Sequence, residues 1–201
     1  MTAQLIQTPS ALLNANPIVL YNVTWEQLEQ MDAALIDTGA RLTYLDGMLE
    51  IMAPLSEAHE EPKSTVRSLV EVFCRERDIR FYIHGSQTRG KKKDGARAEP
   101  DESYSIGVKK SSVPDLVIKV TVTSGGIDKL EIYSRLKVPE VWFWEDGTID
   151  LYCLRLDGRY EKSSCSELLP DLDISLVAEH SRMADQYDAI TSFIKILREN
   201  A

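Results

Sequence analysis

The chain has 201 residues, of which 43% are hydrophobic and 27% are charged, with only ten glycines and eight prolines. This composition is typical of a globular protein and excludes a disordered or collagen-like chain. The formal net charge of -9 disfavours a protein that binds duplex DNA through an overall positive charge. No segment has the ~20 apolar residues of a membrane span, and the three cysteines lack a metal-type spacing, so we expect reduced thiols in a cytoplasmic protein without membrane contact.

The N-terminal residues predict an arm followed by a helix. Residues 1–17 are polar and aperiodic, which predicts a flexible arm ahead of a single domain over residues 18–201. Thr24 and Gln27 form a capping box, and apolar residues recur at helical spacing after it. The sequence therefore predicts a short helix that ends near Gly39.

A hairpin and a longer helix are predicted next. Asp46-Gly47 is a strong turn signal between two alternating segments, residues 41–45 and 48–52. Residues 56–77 carry an apolar stripe at helical spacing, with Pro62 near the start of the predicted helix.

The rest of the chain alternates strand and helix patterns. Strands are predicted over residues 80–84, 89–93, 99–105, 141–144 and 149–153 and around Tyr160, and helices over residues 127–136 and 183–199. Residues 113–122 form the most apolar segment and predict a central strand. We expect an α+β fold in which helices flank one mixed β-sheet.

Two carboxylates lie two residues apart at Glu99 and Asp101. In an extended strand such residues point to the same face, about 7 Å apart. Magnesium prefers oxygen ligands of this kind, so the pair is a candidate metal site. The alternative is a solvated pair of acids on an edge strand.

Lys119 interrupts the predicted central strand. A buried ammonium needs a partner or loses its proton. We expect a carboxylate from a neighbouring strand, such as Asp101, to be that partner. The alternative is an edge position from which Lys119 reaches solvent.

Four further lysines are candidates for phosphate contacts. Lys129 is predicted in the first turn of a helix, where an ammonium opposes the helix dipole and a nearby phosphate would explain its position. Lys91, Lys92 and Lys93 lie in the densest positive segment of the acidic chain. The alternatives are an exposed surface lysine and a solvated hairpin loop.

An ordered set of motifs resembles a known family. The motifs are EPDE at 99–102, PDLVI at 114–118, TSGGIDKLEIY at 123–133 and VPEVW at 138–142, after the Trp25 helix, the hairpin and the helix start SEAHE at 56–60. Together they resemble the Uma-two family of restriction endonucleases in the PD-(D/E)xK nuclease superfamily. The resemblance implies a restriction-endonuclease-like core that hydrolyses the phosphodiester bonds of DNA with Mg²⁺.

The resemblance also implies roles for individual residues. Asp101 matches the metal-binding aspartate, and Lys129 matches a catalytic lysine that this family carries on the helix after the strand. Glu60, or alternatively Glu61 or His59, matches a polar position on the first helix that assists the metal or the water. Lys119 stands where the family has its second metal-binding glutamate, so we expect weak magnesium binding and impaired cleavage.

Three classes of function remain open from the sequence. The first is a magnesium-dependent endonuclease in which Glu99, Asp101, Lys119 and Lys129 converge in one cleft. The second is a catalytically inactive protein of the same fold that binds nucleic acid. The third is a homodimeric interaction module that uses the aromatic face from Trp142 to Trp144. Metal binding separates the first class from the others, and salt-dependent DNA affinity separates the second from the third.

Overall fold

A computed structural model describes residues 17–54, 57–109, 112–121 and 127–199. These residues form five α-helices and eleven strands in two β-sheets, which confirms the predicted α+β fold. The predicted arm lies outside the described residues except for Pro17, and so does the segment 122–126. The division into an arm and a single domain stays a prediction.

The first sheet is antiparallel, with the strand order β1-β3-β2-β6-β5. Its strands are β1 (Ile18–Leu20), β2 (Arg41–Leu45), β3 (Met48–Met52), β5 (Arg89–Lys91) and β6 (Ala96–Ala98). The β2–β3 hairpin turns at Asp46-Gly47 as predicted, and both turn residues have the positive φ, 44° and 88°, that a tight hairpin requires.

The second sheet is mixed, with the strand order β11-β10-β9-β8-β7-β4. Its strands are β4 (Phe81–Ile83), β7 (Glu102–Ile106), β8 (Leu116–Thr121), β9 (Glu140–Glu145), β10 (Thr148–Leu154) and β11 (Tyr160–Ser163). The β8–β9 pair is parallel and the other pairs are antiparallel. The prediction of one sheet was wrong, because β6 pairs with β2 and joins the two N-terminal hairpins in a sheet of their own.

The helices are α1 (Trp25–Leu35), α2 (Glu57–Glu76), α3 (Lys129–Arg135), α4 (Ile174–His180) and α5 (Gln186–Glu199). The predicted capping box of α1 is present, since Thr24 and Gln27 each accept a hydrogen bond from the other's backbone N–H. A short 3₁₀ turn follows α1 and ends at Gly39, whose φ is 72°. The sequence analysis missed α4, which is only seven residues long and is capped by Asp173.

The two faces of the second sheet have different cores. Along β8, Ile118 faces a cluster that includes Phe73 of α2, whereas Val117 faces a cluster that includes Ile132 of α3. Leu45 of the first sheet belongs to this second cluster, so the first sheet covers the α3 side. Because side chains alternate along a strand, Lys119 shares the face of Val117 and points toward that interface.

The cysteines differ in exposure: Cys74 and Cys153 are buried, and Cys165 is exposed. Burial raises the pKa of the Cys74 thiol to about 11 and that of Cys153 to about 12. Among the helices described, none combines the length and the apolar character needed to cross a bilayer.

Candidate functional site

Asp101 lies buried in the connection between β6 and β7. The predicted strand over residues 99–105 was wrong at its start, since β7 begins at Glu102, after a proline that has no N–H for a ladder. The backbone N–H of Asp101 donates to the carbonyl of Ile118 (3.1 Å), and its Oδ2 accepts from the N–H of Val120 (2.7 Å). These two backbone groups of β8 therefore hold Asp101 and its carboxylate in place.

Lys119 pairs with this carboxylate. Its Nζ lies 3.2 Å from Oδ1 and 3.1 Å from Oδ2 of Asp101, and only 7% of the residue is exposed. Strand β8 lies between β7 and β9, so Lys119 is not at a sheet edge. Burial lowers the pKa of Lys119 to about 8, an effect that Asp101 opposes and Arg41 reinforces.

Arg41, which the sequence analysis missed, is the second cation on Asp101. It begins β2, and its Nη1 donates to Asp101 Oδ1 at 2.5 Å. Its Nη2 donates to the carbonyl oxygens of Glu99 (2.8 Å) and Pro100 (3.2 Å), and its Nε lies 3.6 Å from Glu99 Oε2. Burial disfavours the charged guanidinium, but Asp101 and Glu99 outweigh burial and raise the pKa of Arg41.

Glu50 is the second site residue that the sequence analysis missed. It lies on β3 opposite Thr43, its side chain is fully buried, and its Oε1 forms an ion pair with Lys129 at the start of α3. The other carboxylate oxygen, Oε2, is buried without a hydrogen-bond partner among the described residues. Burial lowers the pKa of Lys129, and Glu50 opposes that shift. A carboxylate therefore accounts for Lys129 at this helix start without a phosphate.

These residues form one group, which we call the ion-pair cluster: the cations Arg41, Lys119 and Lys129 and the carboxylates Glu50, Glu99 and Asp101. Arg41 and Glu50 come from the first sheet, whereas Lys119 comes from the second. Lys129 lowers the pKa of Lys119, and Asp101 raises that of Lys129, so the two ion-paired halves of the cluster interact. Three positive and three negative groups leave the cluster with no net charge.

The donor set of the cluster does not fit a magnesium ion. Both oxygens of Asp101 already accept hydrogen bonds, and the ammonium of Lys119 lies against them. Magnesium needs oxygen ligands with a surplus of negative charge, and the cluster has none. In the part of the chain that the structure describes, no group of three or more His, Cys, Asp or Glu side chains could hold a metal ion.

The ion-pair cluster does not include the residues that were predicted to assist from α2. Glu60 pairs with Lys63 at 3.2 Å, and 47% of its side chain is exposed. Glu61 is also exposed. The side chain of His59 lies outside the described residues.

The three lysines predicted to contact phosphate lie on the β5–β6 hairpin. Lys91 ends β5, and Lys92 and Lys93 form the 3₁₀ turn that follows. All three are exposed, and Lys92 forms an ion pair with Glu26 of α1.

The second sheet is mixed, has helices on both faces and holds the buried Asp101–Lys119 pair beside its strand β8, an architecture that agrees with the restriction-endonuclease-like class of folds. Families of this class typically use divalent metals. The model of the Uma2 family, described as "Putative restriction endonuclease", matches residues 25–183. Because this match covers more than half of the chain, the protein belongs to the Uma2 family. No curated protein matches the chain.

Proposed function

We propose that this chain is a nuclease-fold protein that binds nucleic acid and does not hydrolyse it with Mg²⁺. One observation carries the proposal: Asp101, which matches the family's metal-binding aspartate, is already neutralised by Arg41 and Lys119 at ion-pair distance. The resemblance to the family places a glutamate where this chain has Lys119, so the substitution reverses a charge inside the site.

The energetics of the cluster support this proposal. A magnesium ion at Asp101 would have to displace the Lys119 ammonium, which is buried inside the protein. A buried charge that loses its partner costs several kcal/mol, about 3–5 in measured cases. Catalysis by metal-activated water requires a site that binds the metal ion firmly. The paired cations of this cluster disfavour such binding.

The exposed lysines of the β5–β6 hairpin support binding to nucleic acid. Lys91, Lys92 and Lys93 provide a local positive surface on a protein whose net charge is -9. An acidic protein can contact phosphates only through such a local surface, and its affinity then falls steeply with salt. We place the phosphate contacts of nucleic acid on these three lysines, of which Lys92 would exchange its partner Glu26 for a phosphate.

A metal titration tests the loss of magnesium chemistry. We expect calorimetry to detect no tight manganese binding by the wild type, and tighter binding by Lys119→Glu, which restores the family's carboxylate. Lys195→Glu is the matched control, because it makes the same change of charge at an exposed lysine on α5. Strong metal-dependent plasmid nicking by the wild type, abolished in Asp101→Ala, would contradict the proposal.

A salt titration tests nucleic-acid binding. Replacing Lys91, Lys92 and Lys93 by Gln should weaken DNA binding and reduce the slope of log affinity against log salt by up to about three. The control replaces three other exposed lysines, Lys109, Lys162 and Lys195. An unchanged slope in the first triple variant would remove the hairpin from the interface.

Glu50 favours a second candidate function, which is metal-dependent hydrolysis of phosphodiesters. It is a second buried carboxylate near the predicted site, and its Oε2 accepts no hydrogen bond from the described residues. Metal binding by the wild type that is lost in both Glu50→Gln and Asp101→Asn would favour this candidate.

The homodimeric module has less support from the predicted aromatic face. Trp142 is fully buried, and its Nε1 donates to Glu140 at 2.6 Å. Trp144 is half-buried, and its Nε1 donates to Ser181 at 2.7 Å. Both indole N–H groups are engaged within the chain, so this face offers a partner chain fewer polar contacts than predicted.

A further inference from the structure

We propose that a cavity beside the β5–β6 hairpin binds a phosphate group, with Arg89 as its principal contact. The cavity has a volume of about 300 Å³, and we call it the Arg89 pocket. Its walls come from β5 and its turn, from the segment before β8, and from the residues that end α3 and lead to β9. It is separate in composition from the ion-pair cluster, since the two share no residue.

Arg89 is a buried cation that has no carboxylate partner in the described part of the chain. The residue is only 8% exposed, and one of its nitrogens, Nη1, donates to the carbonyl of Ser112 at 3.2 Å. Its Nε and Nη2 are buried, and no described atom accepts a hydrogen bond from them. No ion pair to Arg89 is present among the described residues, whereas the equally buried Arg41 pairs with two carboxylates.

Such an arrangement destabilises the empty protein. A buried guanidinium without a counter-charge loses its hydration and gains only one hydrogen bond in return. A bound anion would supply both the charge and the acceptors that Arg89 lacks. Stability lost at one buried residue in this way is typical of binding sites.

The chemistry of the lining favours phosphate among anions. The two unpartnered nitrogens, Nε and Nη2, lie on one edge of the guanidinium. Both are covered in the empty protein, so the side chain must turn this edge into the cavity before it can donate in parallel to two oxygens of one phosphate. Lys91, Lys93 and Lys137 add positive charge around the cavity, and Asp94 is the one acid in its described lining. Arg135 also lines the cavity, but its guanidinium is held by Asp46 and Glu131.

The size of the pocket indicates a phosphate that carries an organic group. Small-molecule sites range from about 300 to 1,000 Å³, so this cavity lies at the small end of that range. Val113, Pro114, Leu136 and Val138 provide an apolar wall that a bare anion would not need. A phosphate monoester matches both the charged end and the apolar wall.

The inference deepens the proposed function and rests on it in part, because Lys91 and Lys93 belong both to the pocket and to the proposed nucleic-acid surface. The phosphate could be the terminal phosphate of a nucleic acid or that of a free nucleotide, and both present the same group to Arg89. Inorganic phosphate tests the pocket without nucleic acid, so the two proposals can fail separately.

The first experiment measures binding of inorganic phosphate by calorimetry and by thermal unfolding. We expect millimolar phosphate to stabilise the wild type, and Arg89→Met to weaken phosphate binding at least about tenfold. Arg182→Met is the matched control, since it removes an exposed arginine that lines a different cavity. Without phosphate, Arg89→Met should unfold at the same temperature as the wild type or at a higher one.

The unfolding temperature of Arg89→Met without phosphate distinguishes a ligand site from a structural role of Arg89. An arginine that merely holds the hairpin would destabilise the protein when replaced, whereas one that awaits an anion would not. Arg89→Lys keeps the charge but loses the paired donors, and it should also bind phosphate more weakly. No stabilisation of the wild type by phosphate, or unchanged phosphate binding in Arg89→Met, would overturn the proposal.

The second experiment identifies the source of the phosphate. Tighter binding of a 5′-phosphorylated oligonucleotide than of its 5′-hydroxyl form, lost in Arg89→Met, supports a nucleic-acid terminus. Equal binding of the two oligonucleotides, together with Arg89-dependent binding of a nucleoside 5′-monophosphate, supports a free nucleotide. Phosphate binding without any affinity for DNA would leave the pocket established and overturn the proposed function instead.

Discussion

At residue 119 a single side chain sets the charge of the whole ion-pair cluster. With lysine, three cations face three carboxylates. A glutamate at this position would leave Arg41 and Lys129 to balance four carboxylates. The chemistry of the site therefore depends on one position of β8 more than on the fold around it.

This dependence predicts the stability of Lys119→Glu. In metal-free buffer the variant should lose about 3 kcal/mol of unfolding free energy, because two carboxylates would face each other in a buried site. Urea unfolding measures the loss. Lys119→Met, which removes the ammonium without adding a carboxylate, should lose less. If Lys119→Glu were as stable as the wild type, the pairing of Lys119 with Asp101 would not contribute to stability.

His84 predicts a pH dependence near the Arg89 pocket. Burial lowers its pKa from the ordinary 6.5, Arg89 and Lys109 lower it further, and Asp115 opposes them. The unfolded chain therefore takes up this proton more readily, and stability that is fully present above pH 6.5 is lost as the pH falls toward the lowered pKa. NMR titration of the His84 ring should show the low pKa in the wild type and a higher one in Arg89→Met. Identical values in the two proteins would contradict an interaction between Arg89 and His84.

At the scale of elements, the sequence predicted those helix starts and turns that depend on neighbouring residues. The capping box of α1 and the Asp46-Gly47 turn each lie within a few residues, and both formed as predicted. The short elements β1, β6 and α4 were missed, because segments of three to seven residues carry too little periodicity.

Site residues that depend on distant contacts could not be predicted in this way. Arg41 meets Asp101 across 60 residues, and Glu50 meets Lys129 across 79. Each looked like an ordinary polar position in an alternating strand. Only the packing of the first sheet on the α3 side of the second brings them to the cluster.

The β5–β6 hairpin depends on Gly90. Its φ is 120°, and a Cβ at this position would lie 2.1 Å from the carbonyl oxygen of Ala96 across the hairpin. Gly90→Ala should therefore lower the free energy of unfolding by about 3 kcal/mol or more, because the clash with backbone adds to the strain of the dihedral angle.

Gly85→Ala is the control for that prediction. Gly85 also has a positive φ, 60°, but no described atom lies within 4 Å of the place that a Cβ would take there. Its replacement should cost only the backbone term, about 1–2 kcal/mol. Thermal unfolding of the two variants separates the clash from the strain, and equal losses would show that the hairpin can open to admit the methyl group.

At the scale of the whole molecule, the ion-pair cluster joins the two sheets. Arg41 of the first sheet binds the Asp101 carboxylate and the carbonyl oxygens of Glu99 and Pro100, which lie on the connection between the sheets. Arg41→Met should lower the free energy of unfolding by about 3–5 kcal/mol, because it leaves these buried acceptors unpaired. Arg198→Met, which breaks a solvent-exposed ion pair with Glu76, should lower the free energy of unfolding far less, because water screens such pairs. Comparable losses in the two variants would contradict a joining role for the cluster.

The unequal burial of the cysteines gives the protein a built-in chemical reporter. Cys165 lies at the surface, whereas the thiols of Cys74 and Cys153 are shielded and, with pKa values of about 11 and 12, hold their protons. Since alkylating reagents attack the thiolate, they should modify one cysteine in the native protein and all three after denaturation. Cys74 lies on α2 and Cys153 lies on β10. The rates at which these two cysteines are modified therefore measure how often each element opens, without any engineered label. Mass spectrometry of peptides from a single time course would show which cysteine is modified and therefore which element has opened.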